Sequence, residues 1–191
     1  MVDHKKVEQA IRLLLEGIGE DPDREGLAET PDRIARMYEE ICGGMNEDAA
    51  EHLKKTFTAE NNEMVVEKDI TFYSMCEHHL LPFFGIVHIA YYPAEGKIAG
   101  FGHFAEVVDV LARRPQLQER FTYEICKAVQ DGLGARGALV IVRGTHLCLS
   151  MRNHLGGDSD IITQAGLGCL ADGTDAGHQA WKLLMEGDAQ E

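Results

Sequence analysis

Residues Ser74–Pro82 read S-M-C-E-H-H-L-L-P, directly after an alternating apolar run. A thiol at Cys76 and imidazoles at His78 and His79 fall within four residues. Soft sulfur and borderline nitrogen at this density suit zinc better than magnesium or calcium, which prefer oxygen. This cluster does not close a tetrahedral site by itself, so another part of the chain has to contribute. The best candidate is Thr145–Cys148, T-H-L-C, about seventy residues on. Residues 138–149 read A-L-V-I-V-R-G-T-H-L-C-L, a β-rich pattern that predicts a strand. Side chains two apart on a strand share a face, so His146 and Cys148 are expected to point the same way. Two strands could then aim Cys76, His79, Cys148 and two further histidines into one pocket.

Composition sets the limits. The 191 residues suffice for one domain with a substantial core and a helical extension. A hydrophobic content of 45% and a charged content of 26% are those of a soluble globular protein. The net charge of −14 argues against a general nucleic-acid binder, because phosphate backbones demand a basic surface. A single nucleotide held in a local basic pocket stays compatible with it. Five cysteines, no signal peptide over Met1–Leu15 and no long apolar run point to a reducing cytoplasm without membrane association. In that compartment clustered Cys and His mean metal or catalysis more often than disulfides. Cys42, Cys126 and Cys169 lack such company and read as packing residues.

Taken in order, Val2–Gly19 carries Val7, Ile11, Leu14, Leu15 and Ile18 at a helical period. Asp21-Pro22-Asp23 reads as a turn, and Thr30-Pro31 opens a second helix, Pro31–Cys42, ended by Gly43-Gly44. Arg33 and Arg36 share a face of that helix, either as a solvated stripe or as an anion clamp serving a neighbouring subunit. Residues 51–62 are polar. Strands are expected from Met64 to the first motif and over Phe83–Tyr92, with His88 as a core or interface residue. Phe104–Ala112 reads as a helix, and Pro115 starts another that runs to Gly132. Glu119 near its start is either a capping acid or an acceptor of paired hydrogen bonds from a heterocycle. A last strand over Ile161–Leu170 and a short helix over His178–Met185 complete the chain.

Three protein ligands with an open fourth position is the pattern of a catalytic zinc, whereas four closed ligands is the structural pattern. Cys76, His79 and Cys148 give the former if His78 and His146 stay off the metal. The open position would hold a water acidified toward neutrality, and the two spare histidines could shuttle protons. A structural zinc using His78 or His146 as fourth ligand, and a metal-free thiol site, are the competing readings.

C-E-H-H-L-L-P-F at Cys76–Phe83, R-R-P-Q-L-Q-E-R at Arg113–Arg120, H-L-C at His146–Cys148 and E-T-P-D-R-I-A-R-M-Y at Glu29–Tyr38 closely resemble GTP cyclohydrolase I. The resemblance runs from about Ile11 to Gly168 in the same order and spacing. It implies an α+β tunnelling fold, with an antiparallel four-stranded sheet and two helices on one face. The resemblance further implies a ring-like homodecamer with sites at subunit interfaces. The N-terminal helical region would then cover residues 1–62 and the catalytic domain residues 63–191. It implies zinc, held by Cys76, His79 and Cys148, and a reaction on GTP. In that reaction C8 is hydrated, the imidazole ring opens, formate leaves and reclosure gives 7,8-dihydroneopterin triphosphate. By position, His78 and His146 match the family's acid–base histidines. Glu119 matches the carboxylate that anchors the guanine edge, with Gln118 beside it. Arg33, Arg36 and Arg152 match cations that grip the triphosphate.

The chain departs from the family pattern at the phosphate end. Where the family usually reads G-x-S-K-x-x-R, this chain reads Gly100-Phe101-Gly102-His103-Phe104-Ala105-Glu106. His103 stands in the lysine's place as a substitute substrate-binding residue, and Glu106 reverses the arginine's charge. A second departure follows Arg152, at Asn153–Asp158. These departures leave two other expectations open: a same-fold enzyme acting on a less phosphorylated or different purine, and a non-catalytic pterin- or purine-binding regulatory decamer.

Overall fold

The computed structural model describes residues 2–153 and 159–186. Two helices, α1 (His4–Gly17) and α2 (Thr30–Ile41), form an N-terminal hairpin, followed by 3-10 turns over Gly43–Asn46 and Ala49–Leu53. Asp3 caps α1 by accepting from the Lys6 N–H, and Pro31 stands in the first turn of α2, where its missing N–H costs nothing. A short strand, β1 (Thr56–Thr58), pairs with β4 (Lys97–Ala99).

The main sheet holds four long antiparallel strands, β2 (Val65–Cys76), β3 (Pro82–Tyr92), β6 (Gly137–His146) and β7 (Asp160–Gly168), in that spatial order. A two-residue strand, β5 (Pro115–Gln116), joins the outer side of β2 in parallel. Helices α3 (Phe101–Ala112) and α4 (Gln118–Leu133) cover one face, and α6 (Asp175–Met185) lies on the other. The tunnelling-fold expectation is met, with the helical N-terminus in place.

The strands alternate as this sandwich requires. Val87, Ile89 and Tyr91 of β3 and Ala138, Val140 and Val142 of β6 enter the core under α3 and α4. Their neighbours Ala90, Leu139 and Ile141 pack with Leu170, Ala180 and Leu184 on the α6 side. With both faces covered, β6 reads as the near-continuous apolar run seen in the sequence.

Several boundaries differ from the sequence reading: the last helix starts at Asp175 and not at His178, and the last strand ends at Gly168 and not at Leu170. Pro115 does not start a helix: it pairs with Met75, and α4 begins at Gln118. Helix α3 starts three residues early, at Phe101, with Gly100 at its N-cap. The strand expected through 149 stops at His146, and residues Leu147–Asn153 form a helical turn, α5.

One extra residue bulges β2 between Glu67 and Ile70. Asp69 adopts φ +62 there, and its N–H donates to Nδ1 of His88, which is buried in β3. His88 is therefore a core residue that stabilises a bulge. Glu67, just before the bulge, has a buried Oε2 without a hydrogen-bond partner among the described residues, and burial raises its carboxyl to about 7. Because the folded state holds this proton more tightly than the unfolded chain does, stability falls as pH rises from the ordinary carboxylate range toward 7. Glu67→Gln removes that term. After discounting for solvent access, urea titrations should show the variant more stable than the parent by about 1–2 kcal/mol at pH 8 and equal to it near pH 4.

Candidate metal and substrate site

The hairpin turn between β2 and β3 carries the first donors. Cys76 closes β2, and its N–H donates to the Leu81 carbonyl while its own carbonyl accepts from Leu80 N–H. Leu80 takes φ +51 to make this turn, which pushes His78 and His79 outward to the surface. The turn is anchored from β5 and α4. Glu77 N–H donates to the Gln116 carbonyl at 3.0 Å, and Arg120 donates to the Glu77 carboxylate at 2.5 Å. Gln116, fully buried, accepts from Arg120 and donates to Glu124, so the support is itself held in place.

Cys148 arrives from the other direction. It stands in the first turn of α5, not on a strand, so the shared-face argument for His146 and Cys148 does not describe how they meet. The helical turn brings its sulfur back beside Cys76. The donor atoms of Cys76, His79 and Cys148 all lie within 4.8 Å of one another, and among the described residues no other Cys, His, Asp or Glu trio does so. Both sulfurs are free thiols. Burial, with Cys76 alongside, pushes the Cys148 thiol above its ordinary value. Two buried thiols and an imidazole converging in this way fit a soft or borderline cation, zinc above all. Arg152 Nη1 donates to Nε2 of His79 at 2.7 Å, placing that guanidinium at the rim of the trio.

His146 ends β6 and lies flat on Phe83, with ring centroids 4.6 Å apart and planes inclined by 8°. Its Nε2 is 2.7 Å from the Gln118 carboxamide oxygen. Burial holds this imidazole below its ordinary value, while the charge of nearby Glu119 works in the opposite direction. Glu119 is exposed in the first turn of α4, with its carboxylate open to a ligand. Gln118, by contrast, is 2% exposed, and its amide nitrogen is engaged with the Val142 and Ile161 carbonyls and the Thr163 hydroxyl. The motif places Gln118 beside the guanine edge and carries no signal for this internal engagement.

The cations expected at the phosphate end are dispersed within one chain. Arg33 pairs with Glu29 at 2.5 Å and Arg36 pairs with Asp32, all on exposed surface of α2, which packs against α1 and the first 3-10 turn. His103 donates from Nδ1 to Glu106 at 2.8 Å, and His52 reaches the same carboxylate oxygen at 3.2 Å. Those two imidazoles, His103 foremost, hold the Glu106 carboxyl below the usual range. His52 has no motif around it, and nothing in the sequence singles it out. The departure after Arg152, at residues 154–158, lies outside the described residues.

The family model for GTP cyclohydrolase I matches residues 7–184. The chain belongs to the GTP cyclohydrolase I family. Among curated members, the GTP cyclohydrolase 1 of Carboxydothermus hydrogenoformans is 50% identical over 184 residues, 96% of each chain. That of Streptococcus sanguinis is 51% identical over 183 residues, 96% of this chain and 99% of the relative. That of Clostridium perfringens strain 13 is 55% identical over 152 residues, 80% of this chain and 82% of the relative. Among solved structures, the apo form of an archaeosine synthase QueF-Like shares 16% identity and a TM-score of 0.46, covering 57% of this chain and 97% of its own. Among the described residues, no helix of this GTP cyclohydrolase I family member is long and apolar enough to cross a membrane.

Proposed function

We propose that the chain is a zinc-dependent GTP cyclohydrolase: with water it converts GTP to formate and 7,8-dihydroneopterin triphosphate. The observation that carries this reading is the convergence of Cys76, His79 and Cys148 within 4.8 Å, in a chain whose relatives bear that name. Zinc bound by these three residues would supply a Lewis acid and acidify water toward neutral pH. The chain's own residues do the rest. The exposed Glu119 carboxylate accepts paired N–H bonds from the guanine amino group and ring nitrogen, which fixes the purine's orientation. His146 exchanges a proton with the purine ring while stacked on Phe83, and His78, exposed on the turn, exchanges protons with solvent. Arg152, beside the metal trio, faces the phosphate chain. Arg33 and Arg36 reach a triphosphate only across a subunit boundary, in keeping with a ring-shaped homodecamer. Free thiols at all five cysteines suit a reducing cytoplasm.

Glu106 favours a second reading. With His103 and His52 both bonded to it, Glu106 occupies the basic side chains around the start of α3 that a phosphate would otherwise meet, which suits a less phosphorylated purine. Formate release by the zinc-loaded protein, with GTP, GMP and guanosine in parallel and pterin formation followed by absorbance, separates the readings. The primary reading expects turnover with GTP at low micromolar concentration. Turnover confined to GMP or guanosine would transfer the assignment to the second, and no turnover with any purine would leave a binding protein.

A further inference from the structure

The carboxamide of Gln118 has only one allowed orientation. The Val142 and Ile161 carbonyls, 3.2 and 2.8 Å from its nitrogen, accept hydrogen bonds and cannot donate them, so the NH2 group must face them. The hydroxyls nearby fall into order from the same constraint. Thr122 Oγ1 donates to the Gln118 backbone carbonyl at 2.7 Å, so Thr163 must supply the proton shared between the two threonines at 2.6 Å. That leaves Thr163 Oγ1 to accept from the Gln118 NH2, at 3.1 Å. The carboxamide oxygen consequently points toward His146, where it can only accept.

A glycine makes room for it. A Cβ on Gly144 would lie 2.6 Å from the Gln118 Oε1, so any side chain at this position of β6 would push that oxygen aside. At the far end of the contact, the His146 ring is clamped against Phe83, which is fully buried. Nε2 of His146, 2.7 Å from an obligate acceptor, must carry hydrogen. No described residue hydrogen-bonds the ring's other nitrogen.

We propose that Gln118 is a positioning residue that fixes the orientation of the His146 ring and holds it as the Nε2–H tautomer, so that Nδ1 is the nitrogen left for the substrate. This rests on the cyclohydrolase reading above for its catalytic part, and on geometry alone for the tautomer. A neutral amide suits this role because it orients the ring without placing a charge beside it.

Two measurements test the proposal on the zinc-loaded full chain. Solid-state 15N NMR of histidine-labelled protein at pH 8, with His146 assigned by its loss in His146→Asn, should show protonated Nε2 and bare Nδ1. The reverse pattern overturns the proposal, whatever the enzyme does with GTP. Kinetically, Gln118→Met and Gly144→Ala should each lower kcat by about 30-fold or more, with KM and zinc content within about three-fold of the parent. Thr163→Val disturbs the same amide's packing but keeps the oxygen on His146, and should lose far less. Unchanged kcat in Gln118→Met, or an equal loss in Thr163→Val, would reduce Gln118 to a packing residue. If the parent turns over no purine, the function assignment fails while the NMR result still reads the tautomer.

Discussion

Cys148→Ala should leave the protein folded but without its metal, with bound zinc below about one tenth per chain and kcat reduced more than roughly 100-fold. Donor count decides the outcome. Cys76, His79 and Cys148 are the trio whose donor atoms come within 4.8 Å of one another, and losing a buried sulfur leaves two donors from one turn. Two donors do not hold zinc against the solvent, and even partners one step removed from a metal ligand usually matter about 10- to 100-fold. Cys42→Ala is the companion control, because Cys42 is a partly buried residue just after α2. Elemental analysis alongside formate release distinguishes the outcomes. Zinc retained in Cys148→Ala would mean that another residue closes the site, and the three-donor reading would fall.

Phe83→Ala should be the most damaging single change outside the metal trio. Phe83 is fully buried at the start of β3, meets Phe72 edge-on with centroids 5.6 Å apart, and supports His146 face-to-face. Phe72 in turn contacts Phe121 of α4 at 4.9 Å, so the ring sits where sheet, helix and site converge. Removing a buried phenylalanine typically costs about 3–5 kcal/mol from lost burial and the cavity left behind. That stability loss should appear in denaturant melts. The catalytic loss should exceed it, because the imidazole loses the surface that fixes its plane. Phe83→Leu refills much of the cavity without the flat face, so it should recover most of the stability and less of the activity. Equal recovery of both would show that the ring contributes bulk and not orientation.

The metal donors are legible in the sequence because cysteine and histidine in this density are chemically distinctive, even though the structure reaches them by another route. The pattern A-L-V-I-V-R-G-T-H-L-C-L puts Cys148 on a strand, since it keeps β-forming residues to its end. The chain turns helical at Leu147, a tertiary choice that local propensity does not reveal. Pro115 misleads in a similar way, because proline starts many helices but also fits a sheet edge, and here it sits at the edge beside Met75. The two main-sheet faces are easier, since β3 and β6 alternate between two cores. What stays hidden are contacts between residues with no shared motif: His52 with Glu106, Arg120 with Glu77, and Gln118 with His146. Each joins residues at least 28 positions apart, and side-chain chemistry alone does not pair them.

The route by which Cys148 reaches Cys76 also governs when the centre can exist. Its halves lie on opposite sides of about seventy residues that include α3, α4 and the middle of the sheet. A flexible chain meets these ends only against a loop-closure cost, and in the folded chain the pairing of β3 with both β2 and β6 is what brings them together. On the zinc reading proposed above, the metal would be a lock on a finished domain and not a nucleus for it. Ligation to the native state alone raises the melting temperature with the logarithm of free zinc. A cell short of zinc would then hold a domain that is correctly built, measurably softer, and silent.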